Sequence, residues 1–198
     1  MTECRGAPQR KSNATEAVER TDMTVARATG TQRKTRVVRA MGVASDLADQ
    51  PPLRAWSALA CAIGLLRGDR RLVRTGVRML ASHTLATLGK SSIKHRIDRT
   101  RPFVMLDGGD YHAREGDSSE TRENSFPSGH TAGAMAVAGA VACEYPQHAM
   151  TAYSIAAAAG AIQIPRGKHY LSDVLVGAVI GLAADVAVRL VFPAARDH

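Results

Sequence analysis

The 198-residue chain is poor in aromatic residues, at 4%. That excludes the row of stacking platforms on which single-stranded nucleic acid is bound. Cysteine is scarce and odd in number. Cys4, Cys61 and Cys143 lie far apart, so they give neither a zinc-ligand spacing nor a disulfide framework. Cys61 and Cys143 sit among alanines, as small packing residues do. No stretch alternates apolar and polar side chains over a useful length, and no segment repeats, so sheets and solenoids are not expected. The N-terminus shows no apolar core or cleavage site of an export signal. Long uncharged runs are rare too. The run 145–165 is free of Asp, Glu, Lys and Arg for the roughly 20 residues a membrane span needs.

What is present is positive charge and alanine. The formal net charge is +8, which suits phosphate groups, nucleic acid or anionic membranes and does not choose among them. Residues 1–45 are charged and hydroxylated with few large apolar side chains; they read as a disordered basic tail, leaving 46–198 as the folded domain. In that domain apolar runs alternate with polar connectors. Helices are expected over about 55–66, 72–90, 129–143, 149–163 and 171–191, with a long polar stretch over about 91–126 that holds an acidic loop. The expected class is therefore all-α, a bundle of about five helices. Alanine and glycine in the runs suit close helix packing in lipid. Arg74, Arg78, Asp185 and Arg189 interrupt the same runs, and a charge at a bilayer centre costs about 2.5–3.5 kcal/mol on insertion scales.

Three patches at helix ends can do chemistry. KHRIDRTRP, residues 94–102, presents Lys94 and Arg101, a point charge and a rigid fork of donors that suit a phosphate. FPSGHT, residues 126–131, sets a proline and the capping residue Ser128 before an alanine-rich helix. The free N–H groups at such a start, Gly129 among them, attract an anion, with His130 beside it to donate a proton. HYLSD places His169 and Asp173 at i and i+4. On one helix they share a face, so the carboxylate would hold one ring nitrogen and leave the other to attack.

Taken in order, KHRIDRTRP, PSGH and HYLSD resemble the three motifs of the type 2 phosphatidic acid phosphatase family, a superfamily that includes bacterial acid phosphatases and vanadium haloperoxidases. The resemblance covers about 50–192 and departs at one place. The arginine six residues before the third-motif histidine is Gln163 here, in AIQIPRGKHYLSD. Either Gln163, as a neutral donor, or Arg166, three residues on, takes its place. The resemblance implies a membrane-embedded helical bundle and a metal-independent phosphatase with no cofactor. In it Lys94, Arg101, Ser128, Gly129 and Gln163 or Arg166 hold the phosphate, His169 is the nucleophile, Asp173 orients it, and His130 is the acid. It implies a phosphorylated lipid as substrate, with nucleic acid not expected, and a bacterial inner membrane with the site on the outer face. The turn RGDRR, residues 67–71, agrees with that orientation by the positive-inside rule, whereas five spans would leave the basic N-terminal stretch outside as well. A haloperoxidase-like or non-lipid acid phosphatase, a nucleic-acid binder using the tail, and a decayed membrane protein are the competing readings.

Overall fold

A computed structural model describes residues 12–193. Its eight α-helices, in chain order, are α1 (Asn13–Gly30), α2 (Arg36–Ser45), α3 (Gln50–Arg67), α4 (Arg70–Lys94), α5 (Pro102–Leu106), α6 (Gly129–Glu144), α7 (Ala149–Ala161) and α8 (Leu171–Val191). Two short antiparallel strands, β1 (Ile97–Arg99) and β2 (Ala113–Glu115), stiffen the polar stretch after α4. The all-α expectation holds, and α3, α4, α6, α7 and α8 are the five runs read from the sequence. Helix boundaries follow local chemistry. Asp69 accepts from Leu72 N at the start of α4, and Gly68, at φ +66°, closes α3 in the left-handed region.

The centre of the bundle is α6, which packs against α4, α7 and α8. Its alanines Ala132, Ala134, Ala136, Ala138 and Ala140 are buried. So are polar groups. Glu144 meets Arg74 Nη2 at 2.6 Å and Arg78 Nε at 2.7 Å, and Asp185 meets Arg189 Nε at 2.7 Å. The charges that interrupt the apolar runs are thus paired inside the bundle, the one arrangement in which they are tolerable away from water. Large apolar side chains point the other way. Leu66, Leu88, Ile155, Val179 and Leu190 are exposed on the outer faces. By length and hydropathy α8 is long and apolar enough to cross a membrane, with a mean hydropathy of 2.2.

The expected disordered tail over 1–45 needs correction. Residues 1–11 lie outside the described residues, but 13–30 and 36–45 are helices, α1 and α2. Ser12 and Thr35 cap them, their hydroxyls accepting from Thr15 N and Val38 N. Each helix buries a narrow stripe: Asp22, Ala26 and Gly30 on α1, and Val38, Gly42 and Ser45 on α2. The anchors are mostly small or polar. A composition argument that looks for large apolar residues therefore misses them.

Candidate active site

The three motifs meet at one pole of the bundle: the C-terminus of α4, the β1–α5 junction, and the N-termini of α6 and α8. Backbone hydrogen bonds tie them together. Ser128 N donates to the Asp173 carbonyl at 3.0 Å, and Phe103 N donates to the Gly167 carbonyl at 2.9 Å. The start of α6 lies so close to α8 that a Cβ at Gly177 would sit 2.5 Å from the Ser128 carbonyl oxygen. Glycine is required there for the second and third motifs to touch.

Ser128 is the expected N-cap, buried, its hydroxyl accepting from Thr131 N and Thr131 Oγ1. A Cβ on Gly129 would lie 3.3 Å from Lys90 Nζ, which places a further ammonium against the helix start. Lys94, one turn after Lys90 on α4, is within electrostatic range of both Lys90 and Arg101. Arg101 donates through Nη2 to the Asn124 carbonyl at 3.2 Å, and its Nε is buried without a protein partner among the described residues. His130 Nε2 is likewise buried and unpartnered. It lies 3.7 Å from both Asp46 Oδ1 and Asp49 Oδ2, beyond hydrogen-bond length, and close enough to His169 for the two charges to interact.

His169 is buried, and its Nδ1 donates to the Ser125 carbonyl at 2.7 Å. A carbonyl only accepts, so the proton is on Nδ1 and the lone pair on Nε2. Burial drives the His169 pKa below its ordinary 6.5, against the opposing pull of Asp173. Asp173 was expected to hold the ring directly, but its Oδ2 is 3.8 Å from Nδ1, too far for a hydrogen bond. It is fully buried and accepts from Ser125 Oγ at 2.5 Å, Tyr170 N at 2.8 Å and Arg99 Nη1 at 2.6 Å. It therefore fixes the segment that fixes the histidine. Arg99 in turn donates through Nη2 to Asp22 of α1 at 2.7 Å, and Asp22 also accepts from Ser172 N at 2.9 Å.

The third motif's missing arginine leaves a distinct arrangement. Gln163 is fully buried and both its amide hydrogens are used, on Ser45 Oγ at 3.1 Å and the Ala159 carbonyl at 3.0 Å. Arg166 donates to Ser45 Oγ at 2.9 Å and to Asp46 at 2.8 and 3.3 Å. Hydrogen bonds from Arg166 hold the Asp46 carboxyl below the usual carboxylate range. Beside them Lys168 Nζ lies 3.8 Å from Asp46 Oδ1.

Several of these groups escaped the sequence reading. Lys90 carried a signal, since a lysine four residues before Lys94 shares its helix face. Ser125, Lys168 and Arg99 lie inside the quoted motifs or next to them. Asp22, Asp46 and Asp49 carried none. Among the described residues no three His, Cys, Asp or Glu side chains are gathered as metal ligands would be.

Fold and pole together define a class: a small-residue helical bundle that presents two histidines and several cations at one end. Residues 75–197 match the PAP2 superfamily, well over half of the chain, and the chain belongs to that family. It is 37% identical over 98 residues to the lipid A 1-phosphatase of Porphyromonas gingivalis, a stretch that is 48% of this chain and 22% of that protein. The chain thus spans about a fifth of that curated relative. Two solved structures share the fold. One is the transmembrane PAP2 type phosphatidylglycerolphosphate phosphatase of Bacillus subtilis, with a TM-score of 0.65, 20% identity, and coverage of 91% of this chain and 87% of that one. The other is Aquifex aeolicus LpxE, with a TM-score of 0.62, 21% identity, and coverage of 84% and 93%.

Proposed function

We propose that the chain is a lipid phosphatase that cleaves a phosphate monoester or pyrophosphate of a membrane lipid through a phosphohistidine. One observation carries the reading. The Nδ1–H of His169 is committed to the Ser125 carbonyl, so the Nε2 lone pair is available within electrostatic range of Arg101, itself in range of Lys94. His169 Nε2 attacks phosphorus as the bond from phosphorus to the leaving oxygen breaks. His130 gives its proton to that oxygen. His130 then takes a proton from water as the water oxygen displaces Nε2 and inorganic phosphate leaves. Lys94, Arg101 and the Gly129 amide offset the charge on the equatorial oxygens. The chemistry needs no metal, because those cations and amides do the work of a Lewis acid.

Family membership supports a phosphorylated substrate. The names of the relatives supply two candidate lipids, lipid A and phosphatidylglycerophosphate. Exposed leucines on the bundle and the hydropathy of α8 support a membrane. We place it in a bacterial inner membrane with the motif pole on the outer face. Labelling of a Ser119→Cys variant by an impermeant thiol reagent on intact cells, in a background without other cysteines, tests that; protection would reverse the orientation. The activity test is phosphate release in detergent from phosphatidate, phosphatidylglycerophosphate, a polyprenyl pyrophosphate and lipid A, with and without a chelator, wild type against His169→Ala. Release by wild type alone, unaffected by chelator, is expected. Equal release by both proteins would refute the nucleophile.

A further inference from the structure

The third motif keeps its histidine and aspartate but lacks its arginine, and the charge that arginine would bring has to come from elsewhere. Gln163, at the arginine's position, has no donor left, its two amide hydrogens being spent on Ser45 and Ala159. Arg166 is charged but committed. Its guanidinium donates to Ser45, to both oxygens of Asp46 and, at 3.5 Å, to Gln163 Oε1. It is also wedged against α2, where a Cβ on Gly42 would stand 2.7 Å from Arg166 Nε. Turning it towards a substrate would abandon all of these contacts.

Lys168 has no such commitments. Its backbone is pinned, since Lys168 N and His169 N both donate to the Gln163 carbonyl, at 3.0 and 3.3 Å. The preceding Gly167, at φ +71°, makes the turn that brings the pair back over that carbonyl. Among the described residues Nζ donates no hydrogen bond; its nearest acid, Asp46 Oδ1, is 3.8 Å away. That same oxygen is 3.7 Å from His130 Nε2. The ammonium therefore flanks the acid histidine, adjoins the nucleophile in sequence, and lies within electrostatic range of Arg101.

We infer that Lys168 is the cation that grips the phosphoryl oxygens in place of the missing arginine, while Arg166 serves to hold the loop through Asp46 and Ser45. The inference rests on the phosphatase reading and deepens it. A lysine offers a point charge rather than a fork, which suits a group held from several other sides already.

The test uses orthovanadate, an oxyanion of phosphate shape, and the full-length protein in detergent. Binding is titrated for wild type, Lys168→Ala and Lys168→Arg, and lipid phosphate release is followed in parallel. Losing one charge-assisted hydrogen bond weakens binding by about ten- to hundredfold. That loss is expected for Lys168→Ala at an unchanged melting temperature, with Lys168→Arg recovering most of it. Arg166→Ala should instead lower the melting temperature more than it weakens vanadate binding. Wild-type affinity in Lys168→Ala overturns the assignment, as does a larger loss of vanadate affinity in folded Arg166→Ala. Lysine-dependent vanadate binding without lipid hydrolysis would uphold Lys168 and defeat the phosphatase reading. No vanadate binding by wild type would defeat both.

Discussion

Replacing Asp22 by alanine should unlock the supports of His169, the proposed nucleophile, from a distance. Asp22 belongs to α1, yet its carboxylate pairs with Arg99 Nη2 at 2.7 Å and accepts from Ser172 N at 2.9 Å and from Ser172 Oγ. The group is 2% exposed, Arg99 5% and Asp173 0%. Removing one partner of a buried ion pair costs about 3–5 kcal/mol, because the other charge is stranded. Asp173 still neutralises Arg99 through Nη1, so the lower end applies, about 3 kcal/mol. For a chain of this length each kcal/mol lowers the melting temperature by about 2–4 °C, which gives a fall of roughly 6–12 °C for Asp22→Ala. Asp22→Asn keeps an acceptor and should lose less. Thermal unfolding in detergent reads both, and phosphate release at a temperature where both are folded reads the site. A fall under about 2 °C for Asp22→Ala would mean that α1 does not brace Arg99, and the relay from Asp22 to Asp173 would have no energetic content.

Gly177→Ala places a methyl group 2.5 Å from the Ser128 carbonyl oxygen; overpacking of this kind costs about 1–3 kcal/mol. Because the strain falls on the PSGH turn, activity should drop more than tenfold in protein that still folds, and wild-type turnover would show that the turn can retreat. The buried His169 has its pKa lowered below 6.5, and in the proposed mechanism it attacks as the neutral ring. kcat/KM should therefore fall with acidity only below pH 6.5; an acid limb centred above that value would contradict the assignment. Neutral His169 is also favoured by the fold, so its contribution to stability is present above pH 6.5 and fades as pH falls from there towards the lower folded pKa, which urea titrations at several pH values can follow. Gln163→Arg, which restores the motif on paper, should lose rather than gain activity. The side chain is fully buried beside a guanidinium whose only carboxylate partner among the described residues is Asp46. Faster phosphate release from that variant would show that the pocket can take an arginine there.

Legibility in the sequence followed the range of the forces involved. PSGH could be read because an N-cap, a glycine and an alanine run are a local instruction, and Ser128 does cap α6 as that instruction says. The five apolar runs were legible for the same reason. The direct hydrogen bond expected between His169 and Asp173 is not made, although the two lie 3.8 Å apart, and the reason is physical. An i,i+4 contact presumes that both residues are on the helix, but α8 begins at Leu171, so His169 lies before it. Asp173 is then the third residue of the helix and turns back to accept from Tyr170 N, as a first-turn carboxylate does. Released from that geometry, the imidazole meets the Ser125 carbonyl, 44 residues away in the chain. Asp22 and Ser172 are 150 residues apart, and no local pattern encodes such a pair. The spacing of the motifs picks out the proposed reacting groups because helix ends present them. The orientation of those groups is decided by carbonyls and carboxylates from other segments, and there spacing arguments carry no force.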